Sequence, residues 1–406
     1  MLTDDKYFRG WFRAGLFSLV IVAILGALMR YKIAFDFPVF QQKNLLHAHS
    51  HFAFGGWITH MLYTAVAGCL SGFLPAARQR RYHLLIALNL LLSFGMLFSF
   101  AWQGYGVVSI TFSTLTIVIA VIFLFNYTAD SQQFARLQLF PKWVRLGLLL
   151  NVIASAGPLY LAYMMATKNI QTDHYLASVY YYLHFQYNGW FFFGSMSLLA
   201  YKFSDKGPAF NDFFKIMSVT VFVSFLLSVL WMHLPTWLVV ITAVAACIQL
   251  LAWLRFMKLL SPSWQVLQKK ETPLWIKLFF YAAALAMTIK FLLQAISAIP
   301  HLSQLVFGFR PIVIAYLHLV LLGIYSSFLL GWLFSQVTEG ISKAAEPGAY
   351  IFLSGVVLNE GLLAVQGIAS FAYIPVPFVN ELLVVVSLIL LTGAGLMAFS
   401  LRSSAA

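Results

Sequence analysis

The chain has 406 residues, 62% of them hydrophobic and only 9% charged, and a formal net charge of +13. A soluble globule of this length needs a far more polar coat, so lipid is the solvent for most of the chain. The basic residues sit in short clusters between apolar runs, a pattern that sets membrane orientation and argues against a nucleic-acid partner.

Polar residues from Met1 to Arg13 lead into an apolar run with no small-residue cleavage site, read as a retained first helix. Crossing a hydrocarbon core of roughly 30 Å takes about 20 helical residues. Runs of that kind predict spans near 11–30, 45–70, 82–104, 106–128, 143–166, 175–201, 212–234, 236–259, 274–298, 311–335, 348–372 and 379–400. The expected fold is therefore all-α: a polytopic membrane protein of twelve transmembrane helices, with 1–406 forming a single transmembrane domain. Two weak breaks carry the count, Gln103-Gly104-Tyr105-Gly106 and His233-Leu234-Pro235. Cys69 and Cys247 both fall inside apolar runs, which excludes a disulfide framework and a thiolate metal site.

Cytoplasmic loops are enriched in Lys and Arg. With twelve spans, Arg9, Arg13, Arg78, Arg80, Arg81, Arg136, Lys142, Arg145 and most other basic residues fall on the side of the two termini. Only Arg30, Lys32, Lys43, Lys168 and Arg310 fall opposite. Both termini are thus expected in the cytoplasm and the bilayer to be the plasma (inner) membrane.

Once oriented, the 10 histidines gather toward the outer half. His47, His49 and His51 open the second span, His184 lies in the sixth, His233 ends the seventh and His318 enters the tenth. His174 and His301 sit at the outer boundary, where solvation explains them, while His60 and His83 lie deeper or on the cytoplasmic side. A lone intramembrane histidine commonly bridges helices by hydrogen bonding. Imidazoles at one depth on four spans instead suit a buried haem or metal, since each intramembrane ionisable group costs about 2.5–3.5 kcal/mol to insert. At about 100° per residue, His47 and His51 share a helix face and His49 points the other way, so one iron cannot take both kinds.

Leu317-His318-Leu319-Val320-Leu321-Leu322-Gly323-Ile324-Tyr325 resembles the tenth helix of the haem–copper oxidase superfamily, especially nitric oxide reductase large subunits. Tyr180-Tyr181-Tyr182-Leu183-His184-Phe185-Gln186-Tyr187-Asn188-Gly189-Trp190 resembles their sixth helix, where a His ligates the non-haem metal. His47-Ala48-His49-Ser50-His51-Phe52-Ala53-Phe54-Gly55-Gly56 is similar to their second helix, which supplies a low-spin haem ligand, and to the opening of the NnrS-like family of nitric-oxide-response membrane haem proteins. The resemblance implies a bundle like that of cytochrome oxidase subunit I. It also implies a low-spin haem, b-type, held by His318 and one of His47, His49 and His51, with His184 and His233 toward a Cu or Fe ion. Three positions depart from the family. Tyr316 stands where the high-spin haem ligand belongs, and a phenolate there would ligate a second haem; Met232-His233 replaces a His-His pair; Asn188 replaces a Tyr or Glu.

The expected function is accordingly electron transfer or the handling of O2 or NO, with an outer-side cytochrome or quinol as electron donor. If the chain is an enzyme, it is an oxidoreductase reducing O2 or NO. Lys290 and Glu360, with Gln249, Gln294, Asn359 and Glu381, are the other intramembrane polar groups; Lys290 and Glu360 suit a proton path, and helix–helix hydrogen bonding is the simpler use of the rest. Two other classes compete, a proton-coupled transporter and a membrane di-metal oxygenase.

Overall fold

The computed structural model describes residues 6–132, 140–203, 207–232, 234–269, 272–299, 302, 309–337 and 340–401, without the side chains of 6, 7 and 262–269. Among these residues the regular structure is helical, apart from one isolated bridge between Ile341 and Leu401. In chain order the helices are α1 (Lys6–Ala34), α2 (Gln42–Phe52), α3 (His60–Ser71), α4 (Ala76–Gln103), α5 (Val107–Ser131), α6 (Phe140–Ala154), α7 (Ala156–Ala166) and α8 (Thr172–His184). There follow α9 (Phe191–Lys202), α10 (Gly207–Val223), α11 (Thr236–Lys269), α12 (Leu274–Ser297), α13 (Arg310–His318), α14 (Ser327–Gln336), α15 (Ala345–Phe371) and α16 (Val379–Ser400). Wider π turns join α2 to α3 over Ala53–Thr59, α8 to α9 over Phe185–Trp190 and α13 to α14 over Leu319–Ser326. A 3-10 stretch, Ser224–Met232, extends α10.

Among the described residues, 10 helices are long and apolar enough to cross a membrane, which makes this a multi-pass membrane protein. The two expected spans outside that set are 45–70, the most histidine-rich of the chain, and 175–201; both are helical throughout, from Gln42 to Ser71 and from Thr172 to Lys202. Both weak breaks separate helices as expected. Gly104 takes φ +65° between α4 and α5, a conformation only glycine adopts without strain, and α11 starts just after Pro235.

The chain divides into two compact units, Met1–Phe123 with Thr272–Ala283 and Leu322–Ala406, and Leu124–Glu271 with Ala284–Leu321. In the first unit α4 shows how the lipid face is built. Leu84, Leu91 and Phe98, seven residues apart, are exposed, while Leu85, Asn89, Ser93 and Met96 are buried. The outward face is apolar, and the polar Asn89 and Ser93 point inward among apolar neighbours. In the same unit α15 and α16 approach closely: a Cβ on Gly393 would lie 2.7 Å from Phe352 Cα, so the contact needs glycine.

Aromatic rings pack the second unit. Trp143 on α6 meets Phe193 at 5.3 Å and Phe214 at 5.1 Å between ring centroids, and Phe213 stacks on Phe256 at 4.5 Å. Trp253 Nε1 donates to Thr288 Oγ1 at 2.9 Å, and Ala246 clusters with Ala298, so α11 and the second half of α12 run antiparallel.

Candidate functional site

Each π segment begins within two residues of a candidate histidine: after His51, His184 and His318. A π turn holds one more residue than an α turn and frees backbone groups from the regular ladder, and such turns gather at functional sites. In the first unit the Gly55 carbonyl, which takes the π-turn bond from His60 N–H, also accepts from buried Asn89 Nδ2 at 3.0 Å, and Trp57 Nε1 donates to Ser326 Oγ at 2.9 Å. In the second, Gln186 Nε2 donates to Asn151 Oδ1 at 2.8 Å.

A short repeat runs into these turns. His51-Phe52-Ala53-Phe54-Gly55-Gly56-Trp57 and His184-Phe185-Gln186-Tyr187-Asn188-Gly189-Trp190 share His, Phe, an aromatic, Gly and Trp at equal spacing. His318-Leu319-Val320-Leu321-Leu322-Gly323-Ile324 keeps the His and the Gly. The signal lies in seven positions at each of the three turns, too short to register as a repeated half.

The triple-histidine opening divides as helical geometry requires. His51 stacks on Phe100 with ring centroids 4.3 Å apart, and its Nε2 lies 3.3 Å from the Tyr105 hydroxyl. His47 meets Tyr105 edge-on at 4.6 Å, and its Nε2 is buried with no hydrogen-bond partner among the described residues. His49 faces α1 instead: its Nδ1 lies 3.1 Å from the Val22 carbonyl, beside Gly26. Because a carbonyl only accepts, Nδ1 carries the proton and Nε2 the lone pair.

On α13, His318 repeats this arrangement, with Nδ1 2.8 Å from the Ile314 carbonyl. Its Nε2 is therefore the basic nitrogen. Tyr316 lies beside Tyr187 at 6.1 Å between ring centroids, and the Tyr187 hydroxyl hydrogen-bonds Tyr316 and Ser228.

His184 is fully buried and differently engaged. Its Nε2 donates to the Val221 carbonyl at 2.8 Å, and its Nδ1 accepts from Asn188 Nδ2 at 3.0 Å. Both ring nitrogens are thus bonded within the protein, so a metal ion would compete with Asn188 for Nδ1. His233, the expected second ligand, and His301 lie outside the described residues. Among the described residues, no group of three or more His, Cys, Asp or Glu side chains is arranged to hold a metal ion.

Lys290 is buried in the second unit, within electrostatic reach of His184. Half-buried Glu360 belongs to the first, where Oε1 accepts from Asn359 Nδ2 at 3.1 Å. His60, which the sequence left outside the site, is fully buried: Nε2 donates to the Trp11 carbonyl at 2.9 Å and Nδ1 has no partner among the described residues.

No protein-family model matches the chain, and no curated protein does so either.

Proposed function

We propose that the chain is a twelve-span haem protein of the plasma (inner) membrane, with cytoplasmic termini and an oxidase-like bundle, working in electron transfer or in the handling of O2 or NO. The carried-over ligands are His318 and, among the second-span histidines, His49. What supports this choice is local to each imidazole: at His49 and at His318, Nδ1 is bonded to a backbone carbonyl, which orients the ring and makes Nε2 the lone-pair nitrogen. Metal-ligating histidines have this second-nitrogen anchor almost without exception. His51 has no carbonyl anchor, its Nε2 facing a tyrosine hydroxyl, and at His184, anchored through Nε2 to the Val221 carbonyl, the lone-pair Nδ1 is already taken by the Asn188 amide.

A bound haem supplies one-electron redox chemistry. The carbonyls of Val22 and Ile314 raise the basicity of their imidazoles and hold the neutral tautomer that iron requires. Electrons come from a separate cytochrome or a quinol, because the chain has no C-x-x-C-H sequence for covalent haem. Reduction of O2 or NO would make it an oxidoreductase, with a Cu or Fe ion toward His184 and His233, a second haem on Tyr316, and Lys290 and Glu360 serving protons.

The test is a reduced-minus-oxidised visible spectrum of the detergent-purified protein, with pyridine haemochrome and metal analysis. Wild type should show a low-spin haem that His318→Ala and His49→Ala abolish and that His51→Ala retains. Colourless wild type, expressed with haem supplied, overturns the reading and favours a proton-coupled transporter, for which the intramembrane Lys290 speaks.

A further inference from the structure

The second unit contains three buried polar side chains whose bonding is incomplete. On α12, Lys290 is 2% exposed and Gln294, one turn on, 7%; on α11, Gln249 is 2% exposed. Lys290 Nζ lies over the Phe291 ring, 4.2 Å from its centroid, and among the described residues no hydrogen-bond acceptor is placed against it. The Oε1 atoms of Gln249 and Gln294 are buried, and neither has a partner among the described residues.

Flipping the Gln249 amide does not remove the deficit. Its Nε2 lies 3.1 Å from Thr220 Oγ1 and 3.2 Å from Ser224 Oγ. Both hydroxyls already donate, Thr220 to the Ile216 carbonyl and Ser224 to the Val221 carbonyl, so toward Gln249 they can only accept. The amide nitrogen must face them, and the oxygen must face away. Along these two successive antiparallel helices, the bond from Trp253 to Thr288 sets Gln249 at about the height of the turn from Lys290 to Gln294.

What could complete these groups is narrowly constrained. A metal cation offers the Lys290 amine no acceptor, and a simple anion offers the two amide oxygens no donor. An apolar occupant would leave all three groups unbonded. Water accepts from an ammonium and donates to carbonyl oxygens, and buried water characteristically joins otherwise unsatisfied polar groups.

We propose that Lys290, Gln249 and Gln294 frame an internal water site inside the membrane-embedded second unit. Water there accepts from Lys290 Nζ and donates to the two amide oxygens. It gives Lys290 an exchangeable, solvated ammonium beside the stretch of α10 whose Val221 carbonyl holds His184. The site does not depend on haem binding.

The decisive experiment uses the full chain in bilayers, deuterated, labelled with 15N-lysine and back-exchanged in ordinary water. The Lys290 ammonium signal is the one lost in Lys290→Met, or in Lys290→Arg should the first variant not fold. In wild type, proton magnetisation should pass from water to that signal, and the transfer should fall at least several-fold in Gln249→Leu/Gln294→Leu. Thermal unfolding gives a second readout: Gln294→Leu should lower Tm, and by less in the Lys290→Met background. A Lys290 signal without water transfer, or a Gln294→Leu that raises Tm or acts additively with Lys290→Met, overturns the site.

Discussion

The helices that carry His51 and His184 share the same local pattern, a histidine and phenylalanine followed by an aromatic, glycine and tryptophan, and both pass into π turns there. Their imidazoles nevertheless end in different states. His51 is half-buried, stacked on Phe100 and bonded at Nε2 to one tyrosine hydroxyl. His184 is fully buried with both nitrogens satisfied, by the Val221 carbonyl and by Asn188. The pattern determines where the helix widens, and the neighbours determine what the imidazole can do. Asn188 is the residue that matters most, because the second span has Gly55 at the same place and so offers its histidine no amide.

The sharpest way to break this comparison is to remove each ring. His184→Ala leaves a cavity together with the Val221 carbonyl and the Asn188 amide stripped of their imidazole partner, and should destabilise by about 3 kcal/mol. His51→Ala loses one stack and one long hydrogen bond, about 1 kcal/mol. Denaturant unfolding in detergent checks both, and equal losses would show that burial does not separate the two sites.

The shared glycine gives a smaller contrast. A Cβ on Gly189 would lie 2.8 Å from Leu150 Cβ, an atom fixed to its backbone, whereas on Gly56 it would meet the side of the Phe52 ring, 2.6 Å from Cε2. Gly189→Ala should therefore cost about 2 kcal/mol by overpacking, and Gly56→Ala less, because a ring can turn. The same unfolding curves order the pair. Trp57→Phe removes the 2.9 Å bond to Ser326 and leaves a small cavity where part of the buried indole lay, and should lower stability by about 2 kcal/mol.

Much of the architecture was legible beforehand. Apolar runs located the helices, Gly104 and Pro235 marked two thin breaks, and the 100° rule correctly set His49 apart from His47 and His51. That rule holds only inside a regular helix. Across Ala53–Thr59 the extra residue of a π turn rotates everything beyond it, so the setting of His60 against the Trp11 carbonyl was not readable from spacing. Nor was the choice among the second-span histidines, because which ring nitrogen carries the proton depends on a carbonyl of α1, 27 residues away in the chain.

By itself the sequence determined that the chain is helical and lives in lipid, because hydropathy and the need to satisfy every backbone group leave helices little alternative at this composition. It also located the histidines and the polar residues kept at the cost of burial. Only the tertiary structure decided what those residues face: Nδ1 of His49 and His318 against carbonyls, His184 closed by Asn188, and the buried amide oxygens of Gln249 and Gln294 without a donor among the described residues. Depth in a membrane follows from position along one helix, whereas hydrogen-bond partners come from other helices, and no periodicity within a single span encodes them.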